Sequence, residues 1–186
     1  LTGKSGTSEA FGIDMSGGLA LTNFNVEGDL DGDGNDDFIV GALRNDDGGS
    51  DAGATYVFYG PLTGEINASS ADAVLEGGAA KDVAGRTVSM VGDVNGDNLA
   101  DFVVTAYKND FKMSDSGRAY LFYGSETRLS GTKELDIGAP PADVIFDTYF
   151  SGSRMGSDVA PAGDMNGDGQ FEILLGAEHY DKYNYD

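Results

Sequence analysis

Residues 28–40 read Gly-Asp-Leu-Asp-Gly-Asp-Gly-Asn-Asp-Asp-Phe-Ile-Val, an acidic, glycine-rich loop that runs straight into an apolar stretch. Within it, Asp29, Asp31, Asp33, Asn35 and Asp37 fall at every second position. The same nine-residue pattern, Asp-x-Asp/Asn-x-Asp-x-x-x-Asp/Glu, returns as Asp93, Asn95, Asp97, Leu99 and Asp101, and again as Asp164, Asn166, Asp168, Gln170 and Glu172. Oxygen donors at alternate positions, with glycines allowing a tight turn between them, suit a hard cation that takes about six to eight oxygens, which is calcium rather than zinc or magnesium. About three calcium sites are therefore expected. By spacing, positions one, three and five coordinate through side chains, position seven through its backbone carbonyl, and position nine through a carboxylate. Leu99 is compatible with the fourth role because a carbonyl ligand makes no demand on its side chain.

The repeat extends beyond the loop. Laying residues 28–60 on residues 92–124, at a constant offset of 64, requires no gap and gives 17 identities in 33 positions. The shared skeleton is Gly-Asp-x-x-Gly-Asp-x-x-x-Asp-Phe, then Asn-Asp, then Ser-Asp-x-Gly, then Tyr-x-Phe-Tyr-Gly. A third copy begins at Gly163, and its aromatic strand is not reached by Asp186. Self-similarity at a fixed period points to a repeat architecture.

Each copy predicts four antiparallel strands. The first enters the loop, at about 19–26, 85–91 and 155–162. The second is the apolar run after it, 38–40, 102–104 and 173–175, and the third is the aromatic run 56–59 and 120–123. A weaker outer strand is expected at about 72–76 and 147–151. The inner runs are continuously apolar instead of alternating, which signals sheets covered on both faces. No segment shows sustained helical periodicity. The fold class that follows is all-β, a partial β-propeller of about two and a half four-stranded antiparallel blades. Its divisions are the end of a preceding blade plus blade one at about 1–76, blade two at about 77–151, and a truncated blade three at about 152–186.

Composition narrows the function. With 32 acidic and 11 basic residues the formal net charge is −21, so no nucleic-acid partner and no anionic membrane surface is expected. No stretch is long and apolar enough for direct membrane insertion, no basic-then-apolar leader opens the chain, and the first residue is Leu1; the sequence reads as a segment of something longer. There are no cysteines, hence no disulfide staples or thiolate metal sites. Weak oxygen-only loops fill where calcium is about millimolar, which argues for an extracellular or cell-surface (secreted) location.

Three motifs carry a resemblance: Gly-Asp-Val-Asn-Gly-Asp at 92–97, Asp-Phe-Ile-Val-Gly-Ala at 37–42 and Gly-Ala-Thr-Tyr-Val-Phe-Tyr-Gly at 53–60. They resemble the FG-GAP repeat of the integrin α-subunit β-propeller and its bacterial relatives. The Phe-Gly dipeptide of that family is replaced by Ala20-Leu21, Ala84-Gly85 and Met155-Gly156, and its proline after Gly-Ala by Leu43, Tyr107 and Glu178. The resemblance implies a seven-bladed ring, so the remaining blades are needed for closure. It also implies an adhesive scaffold whose partner is an extracellular protein or glycan ligand, with no enzyme activity. Two alternatives stand beside it: the accessory propeller of a secreted enzyme of polysaccharide lyase or phospholipase type, and a structural spacer in a large surface protein.

Other candidates carry less. His179 is the single histidine and has no nucleophile beside it. Tyr56, Tyr59, Tyr120 and Tyr123 recur in register within a buried strand and read as core. Ligand charge ranks the first loop as the tightest for calcium at equal geometry. Strand alternation places the loops 44–52 and 108–116 on the face opposite the calcium loops, with basic residues, Phe111 and Met113 available for recognition.

Overall fold

A computed structural model describes residues 28–63, 66–136 and 141–179. The expected entry strand at 19–26 lies outside the described residues, as does the tail after His179. Ten strands are described: β1 (Phe38–Ala42), β2 (Ala54–Phe58), β3 (Ala73–Glu76), β4 (Ala84–Gly92), β5 (Asp101–Ala106), β6 (Arg118–Phe122), β7 (Gly131–Glu134), β8 (Val144–Asp147), β9 (Met155–Gly163) and β10 (Glu172–Ala177). The only helical element among the described residues is a 3-10 turn, Ala68–Ser70. The chain is thus all-β and forms a partial β-propeller.

Blade two is described in full, as the sheet β4-β5-β6-β8, antiparallel throughout. Blade one contributes β1-β2-β3, and blade three the hairpin β9-β10. Two features depart from the expected strand pattern. The outer strand of blade two falls at Val144–Asp147 rather than 147–151. There Val144, Ile145 and Phe146 line up against β6, and residues 150–152 form the turn into blade three. In addition, β7, which follows blade two's aromatic strand in sequence, leaves that blade and pairs in parallel with β3 of blade one, Ala73 opposite Gly131 through Glu76 opposite Glu134. It covers what would be an open edge of hydrogen-bonding groups.

Side-chain alternation explains why the blades stack. In β2, Ala54, Tyr56 and Phe58 enter a cluster with Val40 and Ala42, while Val57 enters another with Phe102, Val104, Tyr120 and Phe122 of blade two. On the reverse face of blade two, Val91, Val103, Ala119 and Leu121 meet Val159 of β9, with Ile173 and Leu175 packed against them. A period of two along each strand, with both faces apolar, therefore produces one core on each side of the blade. Every residue of β2, β5 and β6 is buried. Phe38 stacks on Phe58 and Phe102 on Phe122 at centroid separations of 4.7 and 4.8 Å, the same cross-strand pair in both repeats. Tyr56 and Tyr120 are fully buried, in keeping with a core role.

Candidate metal loops

The acidic loops occupy equivalent places: loop two joins β4 to β5, loop three joins β9 to β10, and loop one leads into β1. Their backbones are built by their own carboxylates. In loop one, Asp29 accepts N–H bonds from Gly32 (2.7 Å) and Gly34 (2.9 Å), Asp31 from Asp33 (3.0 Å), and Asp33 from Asn35 (2.8 Å). Loop two repeats this with Asp93 accepting from Gly96 (2.6 Å) and Asn98 (2.7 Å), Asn95 from Asp97 (2.9 Å), and Asp97 from Leu99 (2.9 Å). Loop three does so with Asp164, Asn166 and Asp168, whose donors are Gly167, Gly169, Asp168 and Gln170. Short acidic side chains bonding N–H groups two to five residues ahead are the Asx-turn chemistry that makes Asp and Asn turn formers. The left-handed glycines Gly32, Gly96 and Gly167 (φ 78°, 84° and 80°) relieve the strain of winding the loop so tightly.

Position nine does something that spacing alone does not reveal. Asp37 accepts from Leu30 N–H inside its loop (2.7 Å) and from Gly60 N–H at the end of the aromatic strand (2.7 Å). Asp101 does the same with Val94 (2.8 Å) and Gly124 (2.8 Å). Both carboxylates are buried, and each fastens its loop to the third strand of the blade. Gly124 has to be glycine for this: a Cβ there would lie 2.6 Å from Leu99 Cβ and 2.9 Å from Leu30 O. Burial, opposed by these hydrogen bonds, pushes the Asp37 and Asp101 carboxyls up to about 6. Glu172 accepts from Met165 N–H (2.6 Å) and from the Asn166 amide (2.7 Å), and is less buried.

The donor set suits a hard divalent cation. Carboxylate oxygens of Asp29, Asp31 and Asp37 lie within 4.8 Å of one another, a convergence of like charge that a cation would relieve. In loops two and three an asparagine amide stands at position three, and its NH₂ is used internally, Asn95 donating to Asp97 (2.9 Å) and Asn166 to Glu172. Loop one has no amide there. Its cation comes from elsewhere in the chain: the Arg128 guanidinium pairs with Asp31 through Nε and with Asp33 through Nη2 (2.7 Å). Sequence reading did not find Arg128, and no local signal marks it, because the contact spans more than ninety residues.

Adjacent loops are also joined. Ala100 N–H donates to Asp29 O (2.9 Å), and Phe171 N–H to Asp93 O (2.8 Å), so position eight of each loop is tied to position one of the loop before. A shallow cleft lined by Asp29, Asp93, Leu99, Ala100 and Phe171 runs between them.

On the far side of the sheets, the loops 44–52 and 108–116 share a frame. Gly53 N–H donates to Asn45 O and Gly117 N–H to Asn109 O, both at 3.0 Å or less, while Asp46 and Asp110 cap Asp51 and Asp115. The residues displayed on that frame differ. Blade two exposes Phe111, Met113 and nearby Tyr149, with Lys112 Nζ 5.0 and 5.3 Å from the Phe111 and Tyr149 ring centroids. The Phe111 ring also covers buried Arg118, at 3.8 Å. His179 is exposed and lies 3.7 Å from Glu178.

The FG-GAP repeat model matches residues 84–122, the span from the start of β4 through loop two to the end of β6. Curated relatives include integrin alpha-PS5 of Drosophila melanogaster (29% identical over 153 residues, 82% of this chain and 14% of that protein) and integrin alpha-PS2 of the same fly (32% over 166 residues, 83% and 11%). Mouse integrin alpha-IIb is 27% identical over 154 residues, 80% of this chain and 14% of that protein. The chain thus spans about a tenth to a seventh of the length of these relatives. Among the described residues no helix is long and apolar enough to cross a membrane. With a repeat-family match centred on loop two and integrin α-subunits similar over four-fifths of its length, the chain belongs to the FG-GAP repeat family.

Proposed function

We propose that the chain is a calcium-binding propeller segment that serves as an extracellular adhesion or protein/glycan-binding scaffold and has no catalytic role of its own. The observation that carries the calcium reading is the convergence of Asp29, Asp31 and Asp37 oxygens within 4.8 Å, in a loop whose backbone design recurs twice more. Asp29, Asp31, Asp33, Asn35 and Asp37 would hold one ion, Asp93, Asn95, Asp97, Leu99 and Asp101 a second, and Asp164, Asn166, Asp168, Gln170 and Glu172 a third. The ion would neutralise converging carboxylates and stiffen loops that are already tied to each other and, in loops one and two, to strand three. Calcium titration calorimetry tests this. The expected result is about three sites, one lost in each of Asp29→Ala, Asp93→Ala and Asp164→Ala, with magnesium a poor substitute.

The scaffold reading is supported by the contrast between faces. Loops 44–52 and 108–116 keep one backbone frame and change what they display, the pattern expected where recognition is carried by loops on a rigid support. We propose blades at about 1–76, 77–151 and 152–186, with β7 the strand that laces the second repeat to the first. Ligand recognition is tested by replacing Arg44, Lys108 and Met113 together with alanine. This should abolish partner binding and leave the calcium-dependent melting shift unchanged, whereas unaltered binding would move the site off this face.

A further inference from the structure

Arg128 is delivered to loop one by a segment held on both sides of it. Ser125 N–H donates to Leu30 O (2.7 Å), Leu129 N–H to the Tyr59 hydroxyl (2.9 Å), and Gly131 N–H to Asp72 O (3.0 Å). The guanidinium lies 5.0 Å from the Tyr59 ring centroid, so an aromatic face steers it as well. It pairs with Asp31 and Asp33, two of the carboxylates assigned above to the ion. Asp31 is buried, whereas the arginine side chain keeps 42% of its surface exposed, so the cation can leave toward solvent while the carboxylate cannot. Among the described residues, no Lys, Arg or His side chain forms an ion pair with Asp93, Asp97, Asp164 or Asp168. The arginine therefore sits on the one loop whose position three is a carboxylate in place of an amide.

We infer that Arg128 is an intramolecular counter-cation that calcium must displace from Asp31 and Asp33, so that loop one binds the ion more weakly than its carboxylate count implies and its filling releases the Arg128 side chain. This rests on the calcium reading proposed above. Two ion pairs, one to buried Asp31 and one to more exposed Asp33, have to be given up when the divalent ion enters, and their loss is subtracted from its affinity. The arrangement gives loop one a structured ion-free state, in which the blade-two segment stays clamped over blade one, and an ion-bound state in which the arginine side chain is released.

Calcium titration calorimetry of the full chain and its Arg128→Gln and Arg128→Lys variants tests the inference, with melting temperatures recorded in chelator and in calcium. In Arg128→Gln one of the sites should tighten by about threefold to tenfold, and the melting shift on calcium addition should grow, because the ion-free state loses its counter-charge. Arg128→Lys should fall between the two. If Arg128→Gln does not fold, Tyr59→Phe, which removes the hydroxyl holding Leu129, is measured in the same way and should tighten the same site. Sites that remain but are unchanged or weakened in the variants would overturn this inference and leave the calcium reading standing. Absence of calcium binding in every protein would overturn both.

Discussion

Loops one and two follow one hydrogen-bond plan, yet they dispose of their own charge differently. Loop two carries Asn95 at position three and feeds the amide NH₂ to Asp97, a neutral and local solution. Loop one carries Asp31 there and borrows the guanidinium of Arg128 from the following repeat. The nine-residue pattern thus determines how a loop winds, while packing between repeats determines the field inside it. Counting carboxylates ranks loop one as the strongest site; the Arg128 pairs would offset that advantage.

The largest effect expected from breaking this comparison is at position nine. Asp37→Ala or Asp101→Ala removes a buried carboxylate that satisfies two backbone N–H groups and joins loop to strand three. Each should destabilise the fold by about 2–4 kcal/mol in urea unfolding. Glu172→Ala, at a less buried position, should cost about 1 kcal/mol or less. Equal costs in all three would mean that the tie to strand three contributes nothing.

Gly124→Ala comes next. Its Cβ would meet Leu99 Cβ at 2.6 Å and Leu30 O of loop one at 2.9 Å, so loop two has to shift, at a cost of about 1–3 kcal/mol, and calcium affinity should fall most at loop two. An unchanged unfolding midpoint would show that the loop yields freely.

Calcium-free stability should also depend on pH, and the sign follows from burial. Asp37 and Asp101 are pushed up to about 6, and Asp82 to about 7 by burial and then by the neighbouring Asp136. Because these folded values lie above the unfolded value of 3.8, the folded chain holds more protons between about pH 4 and 7. Stability should therefore fall as pH rises through that window. Asp82 is buried, shares the Asn109 amide with Asp136, and sits beside the Arg118 and Tyr120 contacts to Asp136. Asp82→Asn, a neutral mimic of the protonated acid, should remove the part of the slope nearest pH 7. A slope that survives intact would assign it to other groups.

The smallest stability effect sharpens the comparison most. Asn95→Asp gives loop two the charge of loop one without an arginine. It should lower calcium-free stability by about 0.5–1 kcal/mol and raise calcium affinity at loop two above that at loop one. A loss of affinity would show that amide and carboxylate are not interchangeable at position three.

Much of this architecture is legible in the sequence because it repeats. The 64-residue offset places β1 against β5 and β2 against β6, and the paired aromatics Phe58 and Phe122 fall in the same register of the two blades. The winding of the loops is also legible, since Asx turns depend on residues two to five apart. Contacts between repeats are not. Arg128 reaching Asp31, β7 crossing to β3, and Asn109 joining Asp82 to Asp136 each link residues 27 or more positions apart, with at least one partner outside the span that repeats. The boundary of β8 was hidden for a related reason: the apolar triplet Val144-Ile145-Phe146 is too short to show a period, and only its pairing with β6 sets the register.

The central claim is that the three loops hold calcium and that the ion stabilises the fold. Thermal or urea unfolding with calcium and with chelator tests it most directly. At millimolar calcium and a dissociation constant near 10⁻⁴ M, each site should add about 1.4 kcal/mol, so three sites should raise stability by about 4 kcal/mol, a shift that chelator reverses. Unfolding midpoints that are the same in calcium and in chelator would contradict the account.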